Sequence, residues 1–454
     1  MKRILSTIFF LLLALSVFAQ PKPRTSEELT TILQQDPGRA GGTLYVTDFP
    51  SQAAPAPKGY EAVYISHYGR HGARFLTDEK KYDKVMRLFQ KGYESGTLTP
   101  LGQQCWQEMA RIYPAVEAHQ GDLTLKGQEQ HRGIASRMVK AYPSVFGKKV
   151  SVDARSSLSH RAIISMASFL DQIRQMRPKA DIQFSSDSAD MPVTVLGTVD
   201  MDYMKDMGKV FLMTEMMADL GSFSSGFQAE PFFQRLFTDL DTLRSCGEPD
   251  KLASDLFEMV NNMQCMDFDS HFPAIFTPQE TVQLWEQSNL WSCLFMVDNP
   301  YSQGSIAGHA WPLLQDIIDK ADEDLAAGSP SVRLRFGHDT VVGPLMAILG
   351  IDGWEPVSGE IDSWKYQFQN WSIPMASNVQ FIFYRNKKNA SDILVRVMYN
   401  EKDQILPLPD QRLAPYYRWS DFKAYYTPVC ENGERLTNVL FQRKSVENKA
   451  TDIQ

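Results

Sequence analysis

The sequence predicts an α/β fold, a sheet with flanking helices that is interrupted by a mostly helical insertion domain. Three observations carry that prediction. Short runs of β-branched and aromatic residues end in turns, and two of those turns lead into a helix, the unit from which open sheets are built. The stretch 201–325 changes to helical period throughout. Strand character then returns and continues towards the C-terminus.

The elements follow in order. Lys2 and Arg3 precede an apolar run from Ile4 to Val17, and Val17-Phe18-Ala19 offers a small-residue cleavage site before Gln20. Residues 1–19 therefore read as a secretory signal peptide. The run is short for a membrane span, which takes about 20 residues. Without a cysteine at the cleavage site no lipid anchor is expected, so the mature chain is expected to be soluble and exported. The periplasm of a two-membrane cell is the first expectation, secretion the second. Residues 20–57, rich in Pro, Gly, Ala and Thr, read as an irregular lead-in.

Residues 58–200 form the first part of the core. Tyr60 to Ser66 is a buried strand. Leu123-Thr124 opens a helix with Ile134, Met138 and Val139 at helical spacing, ending near Pro143. Val150 to Ala154 is a strand, and a turn leads into a helix with Ile163, Met166, Phe169, Leu170 and Ile173 on one face. Ser157 or Ser159 caps its start. Residues 201–325 hold four helical runs, the last carrying Leu313, Leu314, Ile317, Ile318, Ala321 and Leu325 on one stripe, and their methionines read as core filler. Residues 326–454 are the second part of the core. Val332, Leu334 and Phe336 alternate, Gly337 to Thr340 interrupt, and Val341 to Leu349 is a helix closed by Gly350. "NVQFIFYRN" and "ILVRVMYNEK" read as a hairpin or as neighbouring strands.

The 454 residues suit roughly two to three domains. A net charge of −8 argues against nucleic acid as a partner, because phosphate backbones select basic faces. Any anion site must then be a local positive pocket. The five cysteines (Cys105, Cys246, Cys265, Cys293 and Cys430) are scattered, with no CxxC and no Cys/His cluster, so neither a zinc site nor another cofactor is expected. Export permits disulfides, and Cys246 with Cys265 is the conceivable pair. The oligomeric state stays open.

Three groups of ionisable residues interrupt strand ends: Arg70-His71-Gly72-Ala73-Arg74, Ser159-His160-Arg161 and His338-Asp339-Thr340. If the strands are parallel neighbours, the groups share one edge of the sheet. Arg70, Arg74 and Arg161 then converge with His71, His338 and Asp339, and guanidinium forks match the oxygens of a phosphomonoester. The two flanking helix N-termini add N–H donors. Gly72 lets the loop turn closely around the anion. A neutral imidazole at His71, kept unprotonated by the arginines, can attack phosphorus, and Asp339 can protonate the departing alcohol.

Taken singly, each group has a plainer reading as a solvated loop, a capped turn or a helix-surface charge. Only their recurrence at strand ends favours the chemistry. His67, His119, His131, His160, His271 and His309 are read as structural, His67 being close to the loop. Arg155 is either a fourth cation at the rim or a surface salt bridge.

"RHGAR" early in the mature chain, with "GHDT" far downstream, resembles the histidine acid phosphatases. That branch of the histidine phosphatase superfamily includes phytases, glucose-1-phosphatases and prostatic-type acid phosphatases. "ARSSLSHRAIISMASFL" is similar to the family segment that carries a third phosphate-binding arginine, which falls on Arg161. The resemblance spans roughly residues 61–426 and implies a phosphoglycerate mutase-like α/β core with a helical insertion that shapes specificity. It implies His71 as the nucleophile that becomes phosphohistidine, Arg70, Arg74, Arg161 and His338 as phosphate ligands, and Asp339 as proton donor. Thr77, three residues past the second arginine, stands where phytases can touch substrate.

"YISHYGRHGARFLTDEKKY" and "LTLKGQEQHRGIASRM" look most like the multiple inositol polyphosphate phosphatases. That group carries His-Ala-Glu where this chain has His338-Asp339-Thr340, so the proton donor here is the phytase-type aspartate. The implied activity is metal-independent hydrolysis of a small phosphomonoester, an inositol phosphate or another organic phosphate. The alternative is a non-catalytic phosphate-ester binding protein on the same scaffold. A compact phosphoglycerate mutase fits poorly, those chains being shorter and lacking the insertion.

Overall fold

The computed structural model describes residues 22–49, 55–147, 149–195 and 223–451. Residues 1–19, expected to be a signal peptide, and the methionine-rich run 201–220 lie outside the described residues. The strands are β1 (Tyr60–Arg70), β2 (Ser151–Ser156), β3 (Asp181–Ser185), β4 (Val332–Gly337), β5 (Asn378–Asn386), β6 (Ile393–Tyr399), β7 (Lys402–Asp403) and β8 (Tyr416–Arg418). They form one sheet in the order β3-β2-β4-β1-β5-β6-β7, with β8 on β6. β3, β2, β4 and β1 are parallel neighbours, whereas β5 and β6 are the antiparallel hairpin expected from the sequence.

The principal helices are α1 (Ser26–Gln35), α2 (Glu79–Glu94), α3 (Pro100–Val116), α4 (Leu125–Ala141), α5 (His160–Met176), α6 (Pro249–Asn262), α7 (Pro278–Met296), α8 (Trp311–Ala327), α9 (Asp339–Ile348) and α10 (Trp419–Thr451). Helices cover both faces of the sheet, so β4 is buried at every position except Arg333, with Arg335 buried among its apolar neighbours. On one face α4 and α5 set Ile134, Met138, Met166 and Phe169 against Ile65, Val152 and Phe336. On the other α8, α9 and α10 set Leu314, Ile317, Val342 and Phe422 against Tyr64, Tyr68, Phe381 and Val395.

A separate apolar cluster holds α1, α2, α3, α6 and the first half of α7, through Leu33, Phe89, Met109, Leu256 and Trp285. Packing thus divides the chain differently from helical period. α8 begins inside the stretch 201–325 yet buries its stripe on the sheet, and α2 and α3 fall before residue 200 yet belong to the helical cluster. Period shows that a helix has an apolar face, not what covers it. The lead-in also differs from expectation: Thr25 caps α1 through the Glu28 N–H, and a 3₁₀ segment (Pro37–Leu44) follows. All five cysteines are free thiols, so the Cys246–Cys265 bridge is not formed. Among the described residues no helix is long and apolar enough to cross a membrane.

Candidate active site

Arg70 at the end of β1 pairs with Gly337 at the end of β4, and Ser156 at the end of β2 pairs with Phe336. The three ionisable groups therefore emerge side by side at the C-terminal edge of the parallel strands, where open α/β sheets place ligands.

Arg70 is 0% exposed. Its Nη1 donates to the carbonyls of Thr43 (2.6 Å) and Ile373 (2.7 Å), and its Nη2 donates to Asp339 Oδ2 at 2.8 Å. His71 is held at both backbone ends. Its N–H donates to Gly337 O at 3.0 Å, and its carbonyl accepts from Ala376 N at 3.0 Å. Its Nδ1 lies 2.9 Å from Gly72 O. A carbonyl only accepts, so Nδ1 carries the proton and the lone pair sits on Nε2.

Gly72 is required by close approach, since a Cβ there would lie 2.4 Å from Gly127 O at the start of α4. The Gly72 N–H donates to Ser165 Oγ at 3.1 Å, and that hydroxyl donates to Arg161 O at 2.8 Å, tying the loop after β1 to the first turn of α5. Ala73 N–H donates to Gln130 Oε1 at 2.8 Å. Arg74 is anchored by one bond from Nη1 to Phe75 O at 2.8 Å.

Arg161 lies in the first turn of α5, whose N-cap Ser159 makes no side-chain cap bond. His338 caps α9, and its imidazole stands edge-on to His71 with ring centroids 5.6 Å apart. Its Nε2 is 3.0 Å from Ser157 Oγ, and its backbone N–H donates to Tyr68 Oη at 3.0 Å. Asp339 begins α9 and accepts the Thr340 N–H at 3.0 Å.

The Nε–H groups of Arg70, Arg74 and Arg161 are all buried and have no hydrogen-bond partner among the described residues. Buried donors of this kind are rarely left unpaired. Three of them around one crevice make an anion receptor.

Burial pushes the His71 imidazole well below its ordinary value, with Arg70, Arg74, His338 and Arg161 adding to the effect, so the ring is neutral. Burial, with Arg161 next, takes His338 down to about 4. Burial and Arg74 lower Arg161 to about 10, against the pull of Asp339. Burial by itself would raise the Asp339 carboxyl, but Arg70, Arg74 and His338 outweigh it and hold the group below its ordinary value. Asp339 is thus a carboxylate near neutral pH.

The structure brings together all six residues singled out from the sequence. Thr77 stands exposed at the rim, its Cγ2 near Gly121. Arg155 is not part of the crevice: it pairs with Asp153 at 2.9 Å and donates to Ser185 Oγ at 2.5 Å, joining β2 to β3. His67, His131 and His309 are buried, as a structural reading requires. Among the described residues no group of three His, Cys, Asp or Glu side chains is placed to hold a metal ion. Sequence reasoning missed Ser165, Gln130 and the Thr43 carbonyl, and weighed Ser157 only as a helix cap. Ser165 carried a signal, standing one helical turn past Arg161.

Residues 69–400 match the Histidine phosphatase superfamily (branch 2). Multiple inositol polyphosphate phosphatase 1 of Homo sapiens is 25% identical over 409 residues, 80% of this chain and 78% of its own length. The same-named protein of Gallus gallus is 22% identical over 428 residues, 89% of each chain. Among solved structures, the apo form of the Bifidobacterium longum multiple inositol polyphosphate phosphatase has a TM-score of 0.70 at 18% identity, covering 85% of this chain and 97% of that one. The phytase from D. castellii has a TM-score of 0.65 at 14% identity, covering 86% and 85%. The fold is thus shared with these enzymes, and the matched span takes in all three strand ends. The chain belongs to branch 2 of the histidine phosphatase superfamily and is a histidine-type acid phosphatase, similar to the inositol polyphosphate phosphatases and phytases of that branch.

Proposed function

We propose that this protein is an exported phosphomonoester hydrolase that works through a phosphohistidine intermediate, without a metal ion, on inositol polyphosphates. The observation that carries the reading is the set of three buried, unpartnered arginine Nε–H groups around a neutral His71. The phosphoryl group of the ester sits among Arg70, Arg74 and Arg161, which supply the positive charge that its transfer needs. The Nε2 lone pair of His71 forms a P–N bond as the ester P–O bond breaks, and the Asp339 carboxylic acid gives its proton to the departing alkoxide. Water then attacks phosphorus and passes a proton to the Asp339 carboxylate. The P–N bond breaks, its electron pair returns to Nε2, and inorganic phosphate leaves.

Asp339 starts as a carboxylate, and the sequence of steps needs it protonated. A bound phosphate dianion resolves this, because it offsets the arginines that hold the group down. His338, kept in place by Ser157 and Tyr68, contributes a further contact to the phosphate. Inositol polyphosphates as substrates rest on the similarity to the two curated relatives, and export rests on the N-terminal pattern of Lys2 to Ala19, with the periplasm as the compartment.

The test is phosphate release from phytate, glucose 1-phosphate and p-nitrophenyl phosphate in EDTA, with His71→Ala as control. Release that is lost in the variant and insensitive to the chelator is expected, with phytate the best substrate. Binding of these esters without turnover of any would favour the non-catalytic alternative.

A further inference from the structure

Beside the phosphate crevice, three side chains outside the chemistry just described form a bridge. His160 Nε2 lies 3.1 Å from Asp122 Oδ1, and His119 Nδ1 lies 3.1 Å from Asp122 Oδ2. The bridge is about half exposed, with His160 55%, His119 50% and Asp122 46% accessible. It is also anchored. His119 stacks on Phe75 at 4.9 Å, Phe75 N–H donates to Asp122 O at 2.9 Å, and Gly121 N–H donates to Leu76 O at 2.8 Å. The position of a Cβ on Gly121 would be 3.6 Å from Arg161 Nη1 and 3.6 Å from Thr77 Cγ2. The loop carrying Asp122 is therefore a wall of the crevice mouth, and His160 is the chain neighbour of Arg161.

We infer that His160 and His119, linked through Asp122, form a second-anion subsite that takes another phosphate of a polyphosphorylated substrate and binds protons as it does so. The inference rests on the polyphosphate reading above. An imidazole that turns one ring nitrogen to the Asp122 carboxylate has a single nitrogen left, and the ring meets a carboxylate and a phosphate oxygen with a proton on each nitrogen only as imidazolium. Carboxylate and phosphate together thus favour the doubly protonated ring. The charged groups around the pair are Asp122 on its own loop, Arg161 on α5, Arg74 on the loop after β1, bridged to Leu123, and Asp78, whose carboxylate is turned to the Lys80 N–H. With neutral rings Asp122 leaves the rim negative. With both rings protonated the rim is positive and attracts a second phosphate.

The test is calorimetric binding of myo-inositol hexasulfate, whose sulfates do not titrate in the range used, with inorganic sulfate as the single-anion reference. Both are measured from about pH 8 to about pH 5.5, in buffers of different ionisation enthalpy. The assay needs no turnover, so failure of the hydrolytic reading, seen as no phosphate release from phytate, stays distinct from failure of this one.

The wild type is expected to prefer hexasulfate over sulfate by about tenfold more at the lower pH, with proton uptake on hexasulfate binding. His160→Gln should lose that increment. Asp122→Asn should act in the opposite sense at about pH 8, binding hexasulfate more tightly than wild type, a reversal that mere damage to the wall would not produce. A hexasulfate-to-sulfate affinity ratio equal in wild type and both variants at every pH would overturn the inference.

Discussion

Replacing Asp339 by Asn separates the two duties assigned to that carboxyl. The amide keeps the shape, and its Oδ1 can still accept from Arg70 Nη2, which is 2.8 Å from Asp339 Oδ2 in the native site. Arg70 also retains the carbonyls of Thr43 and Ile373. The fold should therefore lose less than the roughly 3–5 kcal/mol that follows when a buried ion pair is broken outright. The chemistry should lose more. Without a proton for an alkoxide, turnover of an inositol phosphate is expected to fall about 10²–10⁴-fold, or about 3–5 kcal/mol of transition-state stabilisation.

p-Nitrophenolate leaves without that proton, so its transfer to His71 should stay fast in the variant. Hydrolysis of the phosphohistidine, which uses the same carboxylate as base, should then become slow. The assay is stopped-flow absorbance. Asp339→Asn is expected to give a burst of one p-nitrophenol per active site followed by a slow steady state, and no burst of alcohol from an inositol phosphate. Equal slowing with both leaving groups and no burst would refute the reasoning.

Four further outcomes follow from the same geometry. Because the carboxyl must be protonated to act, activity falls as pH rises through its pKa, and the alkaline limb of kcat, where phosphate is bound, should lie at higher pH than that of kcat/KM; coincident limbs would count against the phosphate-induced rise. His67 and His131 are fully buried, burial taking each down to about 3 from a free value of 6.5, with His131 contributing to the shift of His67 and the Arg70 backbone opposing that of His131. A depressed base of this kind stabilises the fold above the unfolded pKa and loses that contribution as pH falls from 6.5 towards 3. The two together should cost about 3 kcal/mol between pH 6.5 and 5, and His67→Phe should flatten the fall in Tm over that window. Gly72→Ala, meeting Gly127 O at 2.4 Å, must displace the His71 loop, with a loss of about 10²-fold in kcat; unchanged kcat would contradict the packing argument. Ser157→Ala, which removes the 3.0 Å contact to His338, should weaken inorganic phosphate inhibition by about five- to tenfold, with Thr restoring it.

The site was legible because its residues interrupt strands whose neighbours are parallel. Val332, Leu334 and Phe336 announce β4 by alternation, and the glycines and charges after it mark where the strand opens to solvent. Parallel order then aligns Arg70, Ser156 and Gly337 without further information. What escaped depends on partners distant in the chain. Ser157 stands where a helix cap belongs, but its hydroxyl reaches His338, 181 residues away. Thr43 lies in a Gly-rich stretch with no period, and its carbonyl matters only because Arg70 is buried beneath it. α1 had a local signal in Thr25 and Glu28, outweighed by the surrounding Pro and Gly. α8 was assigned by its stripe to the insertion, and the stripe lies on the sheet.

The most direct measurement is the stereochemical course at phosphorus, using a phosphorothioate monoester made chiral with two oxygen isotopes and hydrolysed in water of the third. Transfer to His71 Nε2 followed by transfer to water inverts phosphorus twice, so the account predicts net retention, with no label recovered on the protein in His71→Ala. Net inversion would mean that water attacks the ester directly, and would contradict the assignment of His71 as nucleophile.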